Sequence, residues 1–130
     1  MELSTIELSG DKFPILCDLA VLEEIQAEFG DIIAFSEKLF PITEASDGKK
    51  ITKMPDVHAI TFALPRFIDE GIEAYNASHK IKIEKITQKE IFRRCDLSLI
   101  DTAMVIYQEL WRSINAPKPQ PPAEMNQKEN

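Results

Sequence analysis

A chain of 130 residues, 44% of them hydrophobic and with a formal net charge of −7, is long enough for one domain with its own core, so folding requires neither a metal nor a disulfide. No stretch approaches the ~20 apolar residues of a membrane span, and Met1-Glu2-Leu3-Ser4-Thr5 lacks the basic start and long apolar run of a secretory signal, so a soluble cytoplasmic protein is expected. Residues 1–47 hold eleven acids against Lys12 and Lys38, whereas residues 48–130 hold eleven acids against thirteen bases; this balance speaks against the dominant positive field of a nucleic-acid binder.

In chain order, Thr5-Ile6-Glu7-Leu8 and Phe13-Pro14-Ile15-Leu16-Cys17 read as a hairpin within residues 3–17. A Gly10-Asp11 loop would set Leu8 opposite Phe13 and Ile6 opposite Ile15, one apolar face, with Glu7 and Pro14 on the other. Pro14 has no N–H to donate, which suits an edge or the outward side of a two-stranded ribbon. Asp18 is placed to cap a helix near 19–29, with Leu22, Ile25, Gln26 and Phe29 as its inner face and Gly30 as its stop. Asp31 caps a second helix, near 32–39, that carries Ile32, Ile33, Phe35 and Leu39 and ends at Pro41. Residues 41–56 are a loop with room for a small hairpin, residues 42–52, around Asp47-Gly48.

The longest helix falls at 57–78, with a kink expected at Pro65, and with Val57, Ile60, Thr61, Leu64, Phe67, Ile68, Gly71, Ile72 and Tyr75 on one broad stripe. Thr87-Gln88-Lys89-Glu90 has the form of a capping box, with Ile86 and Ile91 as its staple, and opens a helix at 88–95. Ser98 recaps a last helix at 98–115, whose apolar face is read as Leu99, Ile100, Ala103, Met104, Ile106, Tyr107, Leu110, Trp111 and Ile114. From Ala116 the chain is Pro-rich and polar, and residues 116–130 are expected to be disordered. The fold class is therefore α+β, mainly α: one domain over residues 1–115 with the hairpin packed on four to five helices.

Markers of chemistry are sparse. His58 and His79 lie in no metal-ligand spacing, and glycines at 10, 30, 48 and 71 form no phosphate-binding loop and no nucleophile elbow, so neither an enzyme nor a cofactor is expected. Asp69, Glu70 and Glu73 fit a solvated helix face. Cys17 and Cys95 sit in apolar stretches without a pairing motif and read as reduced, unreactive thiols. Lys80, Lys82, Lys85, Lys89, Arg93 and Arg94 face only Glu84 and Glu90 over residues 80–94; they form either a solvated face or a docking patch for an acidic partner.

The block Leu8-Ser9-Gly10-Asp11-Lys12-Phe13-Pro14, followed by Cys17-Asp18-Leu19, Leu22-Glu23-Glu24-Ile25-Gln26 and Phe29-Gly30, resembles the opening of the tail assembly chaperones of phages and prophages of Gram-positive bacteria. Ile60-Thr61-Phe62-Ala63-Leu64-Pro65, Glu70-Gly71, Thr87 to Glu90 and Asp96-Leu97 continue the likeness in order over roughly residues 1–115. The resemblance implies a non-structural protein of virion morphogenesis, working in the bacterial host cytoplasm and absent from the mature virion. Such a protein binds and solubilises the tape-measure protein, helps recruit the tail-tube protein, and acts with a frameshifted longer chaperone product. It transfers no binding residues, and homo-oligomerisation stays open. The competing reading is a small prophage regulatory or nucleic-acid-binding protein.

Overall fold

The computed structural model describes residues 2–115; the Pro-rich segment 116–130, expected to be disordered, lies outside the described residues. The architecture is α+β and mainly α. Strands β1 (Ser4–Leu8) and β2 (Asp11–Ile15) form an antiparallel hairpin, α1 (Leu19–Phe29) and α2 (Ile32–Leu39) a helical corner, and β3 (Ile42–Glu44) and β4 (Lys50–Thr52) a second small hairpin; α3 (Val57–Ser78), α4 (Gln88–Arg94) and α5 (Leu99–Asn115) complete the chain. One core cluster joins Ile6, Leu8, Phe13 and Ile15 of the first hairpin to Ile25, Phe35, Leu39, Phe67, Ile72, Ile106 and Leu110 of the helices.

The helix boundaries follow from local chemistry. Asp18 accepts the Val21 amide at 3.1 Å, Asp31 that of Ile33 at 2.7 Å, Asp56 that of His58 at 3.0 Å, Thr87 that of Glu90 at 3.2 Å, and Ser98 that of Asp101 at 3.0 Å. Each contact satisfies one of the orphan amides of a helix start. Gly30, in the left-handed conformation, ends α1 with its amide on Gln26 O at 2.8 Å. Helix α3 runs through Pro65 as one element of 22 residues. Next to that proline, the Arg66 guanidinium lies 3.7 Å over the Phe62 ring, donates to Phe62 O at 2.8 Å and pairs with Glu24 at 2.7 Å.

The first hairpin differs from its expected register. Its loop is Ser9-Gly10, with Leu8 opposite Asp11, Ile6 opposite Phe13 and Thr5 opposite Pro14. Both loop residues have positive φ, 51° and 86°, as a tight hairpin turn whose twist matches its strands requires. Glycine enters this region freely, whereas Ser9 is held there with its hydroxyl donating to Arg94 O at 3.0 Å, a contact from 85 residues away. A slip of two residues preserves the parity of the faces, so the apolar set stays inward despite the changed pairing.

Pro14 is buried, not at the solvated side. Ladder alternation turns its nitrogen and carbonyl away from β1, toward α3, which lies along the outer edge of β2. There Leu16 N donates to Phe67 O at 2.9 Å. This approach depends on Gly71: a Cβ at that position would lie 2.1 Å from Pro14 O and 2.6 Å from Ile15 Cα. The opposite edge of the hairpin is open, because the outward amides and carbonyls of Thr5 and Glu7 have no backbone partner among the described residues.

Other inner faces shift by one helical position. Val21 joins Ile25 in the core while Gln26 is exposed; Ile33 and Val57 are exposed, and Ser36 is buried. On α5 the wide stripe divides. Thr102, Ala103, Ile106, Glu109 and Leu110 are buried, and Ile100, Met104 and Ile114 face outward. The segment 42–52 does form its hairpin, tied at its base by Lys53 N to Pro41 O at 2.8 Å.

Gly71→Ala tests the edge-on docking of β2. Alanine raises helix propensity by about 1 kcal/mol, yet forcing a methyl group into a backbone contact should outweigh that gain, for a net loss of about 2 kcal/mol. Urea denaturation should show a lowered midpoint; equal or greater stability would mean that the helix does not approach the strand this closely.

Candidate functional site

Helix α5 is clamped to the start of α1 by a buried carboxylate. Glu109, only 2% exposed, accepts the Cys17 amide at 2.9 Å and a two-pronged pair from Arg112 at 2.8 and 2.7 Å. Ser113 donates its hydroxyl to Cys17 O. A buried carboxylate is tolerated when its lone pairs are filled and a counter-charge is present, as they are here. Thr102 is satisfied by Ser98 O at 2.8 Å. The bonds of Glu109 and Ser113 to the Cys17 backbone fix the rotation of α5 about its axis.

That rotation leaves a row on the outside of α5: Ile100, Met104, Tyr107, Trp111 and Ile114, spaced 4-3-4-3 as in the seam of paired helices. Ile100, Met104 and Ile114 are 49%, 41% and 40% exposed. Helix α2 runs beside the row. Trp111 Nε1 donates to Ser36 Oγ at 3.2 Å, and the Tyr107 ring meets Phe40 edge-on with centroids 5.3 Å apart. Rising numbers in α2 meet falling numbers in α5, so the two helices run antiparallel along this seam. Ile33, 52% exposed, stands at the Ile114 end. The result is a shallow apolar face with aromatic rings as its floor.

The six bases of 80–94 do not act as one patch. Lys82 caps the end of α3, donating to Asn76 O and to His79 O at 2.8 Å. Lys85 bridges Asp69 and Glu73, both at 2.9 Å, and its ammonium is held above its usual range by those two hydrogen bonds. Arg94 pairs with Asp11, donates to Leu8 O at 3.3 Å and lies 5.2 Å from the Phe13 ring centroid. Lys80, Lys89 and Arg93 are exposed and make no ion pair among the described residues. The extended segment that carries the first of these bases is held by the Asn76 amide, which accepts from Ile83 N at 2.8 Å and donates to Ile83 O at 2.9 Å.

An open groove of about 790 Å³ lies between the hairpin and the end of α3, beside Thr5, Lys12, Pro14, Tyr75 and His79. The His79 ring stacks on Tyr75 at 3.7 Å, with Nδ1 close to Tyr75 O and the Ser78 hydroxyl, so it is pinned by local contacts. His58 pairs with Glu28 at 2.7 Å. Among the described residues no group of three or more His, Cys, Asp or Glu side chains is arranged to hold a metal ion, and no helix is long and apolar enough to cross a membrane.

Cys17 and Glu70 also have shifted protonation. Burial above all, with the charges of Glu109 and Asp18 adding to it, pushes the Cys17 thiol up to about 12; both cysteines are free. Glu70 is pushed up to about 7, first by a hydrogen bond shared with Asp18, then by partial burial and the charges of Asp18, Glu73 and Asp69. The apolar face and the Glu109 clamp escape sequence reading because an amphipathic stripe does not reveal which part of its width a neighbour covers. The sequence shows one wide stripe, which contains the 4-3-4-3 row without setting it apart. Comparison with protein-family models, curated proteins and solved structures finds no match to this chain.

Thiol labelling of the native protein should leave Cys17 unmodified and reach half-buried Cys95 only slowly, with both reacting once denaturant is added; rapid native modification of Cys17 would contradict its burial. The raised Glu70 value makes the folded state hold a proton that the unfolded chain releases near 4.5. The stabilisation is therefore full below about 4.5 and lost as pH rises through about 7. Denaturation midpoints measured from pH 4.5 to 7.5 should fall in the parent and fall less steeply in Glu70→Gln; parallel profiles would refute the assignment.

Proposed function

We propose that this protein is a tail assembly chaperone that binds and solubilises the tape-measure protein by covering its apolar helical segments. The observation that carries the reading is the outward row Ile100, Met104, Tyr107, Trp111 and Ile114 beside Ile33 and Phe40, a face suited to an amphipathic helix laid into it. Apolar residues turned to water on a helix whose inward side holds Glu109 and Thr102 are costly to keep exposed and favour a covering partner.

The resemblance of residues 1–115 to the tail assembly chaperones supplies the identity of that partner. On this reading the protein acts in the host cytoplasm, helps bring tail-tube subunits to the tape measure alongside a frameshifted longer product, and is left out of the finished virion. The competing reading, a nucleic-acid-binding regulator, draws on the bases of 80–94, and Lys82, Lys85 and Arg94 are engaged inside the fold.

Co-expression tests the proposal. A tape-measure fragment should remain in the soluble fraction with this protein and aggregate without it, and the complex should persist at moderate salt because apolar burial is only weakly screened. Met104→Glu with Ile114→Glu, both at exposed positions, should keep the far-ultraviolet circular dichroism of the parent and lose the rescue. Equal aggregation with and without the parent protein would sink the chaperone reading.

A further inference from the structure

We infer that the α2–α5 face selects a basic amphipathic helix, one whose apolar row is flanked by Lys and Arg. The inference rests on the reading above and specifies the chemistry of the partner segment. The apolar row has acids on both rims: Glu37, one turn beyond Ile33 on α2, and Asp101, next to Ile100 on α5, are both exposed. The bases at hand are committed elsewhere. Lys38 lies 3.7 Å from Asp56, and Arg112 grips Glu109 with two hydrogen bonds.

Residues 1–47, which include α1 and α2, carry eleven acids and two bases, and of these acids Asp11, Glu24 and Glu28 are paired with Arg94, Arg66 and His58. A partner helix with basic flanks gains attraction along both rims and is steered toward them from a distance. A second copy of this chain would set acid against acid across the same face, and an anionic lipid surface would be repelled. The row from Ile100 to Ile114 spans about 21 Å at 1.5 Å per residue, which matches a partner helix of about four turns.

The test uses three designed helical peptides of about four turns, free of tryptophan and sharing one 4-3-4-3 leucine row. Their flanking positions are lysine and arginine, glutamine, or glutamate. Trp111, the single tryptophan of the chain, reports occupancy by its emission in the full-length protein. The basic peptide should bind roughly three- to tenfold tighter than the glutamine peptide, the sum expected of two exposed ion pairs. This advantage should be present at about 0.1 M salt, where screening acts over about 10 Å, and vanish near 1 M, where it acts over about 3 Å. Glu37→Gln with Asp101→Asn should remove the advantage and leave the glutamine peptide's affinity unchanged.

If the glutamine and basic peptides bind equally at low salt, or the glutamate peptide binds best, the inference is overturned while the chaperone reading stands. If none of the three binds, both fall. If the protein forms a dimer that buries Trp111 and excludes all three peptides, the face belongs to a second copy and the inference is overturned.

Discussion

The fold depends on a strand lying edge-on against a helix at the one position of that helix without a side chain. A glycine inside α3 costs about 1 kcal/mol in helix propensity. In return, the backbone of Pro14 and Ile15 reaches the helix surface, and Leu16 N finds Phe67 O at 2.9 Å. This contact covers the outer edge of β2, which would otherwise invite another chain. It also fixes the tilt of the hairpin, so that Ile6, Leu8, Phe13 and Ile15 meet the helices as one apolar surface. The other consequences follow from that placement: Asp18 arrives beside Glu70, and the Cys17 amide arrives at Glu109.

Helix α5 mixes polar and apolar groups on both of its sides. Beside Ala103, Ile106 and Leu110, its inward side carries a satisfied carboxylate and hydroxyl, while Ile100, Met104 and Ile114 look outward. Hydrogen bonds and the Arg112 pair make the inward polar groups tolerable, whereas Ile100, Met104 and Ile114 each stay half-exposed. Directional polar anchors hold one rotation of the helix where apolar contacts alone would accept several, and that rotation turns Ile100, Met104 and Ile114 outward.

What the sequence revealed and what it hid divide along a physical line. Asp18, Asp31, Thr87 and Ser98 accept amides within three residues and Gly30 donates to a carbonyl four residues back, so helix starts and stops were legible, as was the α+β class. The hairpin register was not, because Ser9 takes a left-handed conformation with its hydroxyl on Arg94 O, a partner in another element. The basic run of 80–94 reads as a continuous patch only while the chain is written as a line. Folding brings Asp69, Glu73 and Asp11 to meet Lys85 and Arg94. The row on α5 was contained in the expected stripe, but its exposure was set by α2 and by the Cys17 amide, which no local pattern announces.

The bond between Cys17 and Glu109 spans 92 residues, and this separation has a consequence for synthesis. A hairpin of this size is marginal alone; it docks on α3, and Cys17, which follows it, is tied to the last helix described. At translation rates of about 5–20 residues per second, the N-terminal strands wait roughly 5–20 s for that helix. The core closes only after α5 has been made, and α5 takes its fixed rotation only when the core closes. The apolar face therefore does not exist on the nascent chain as a face; it comes into being with the completed domain.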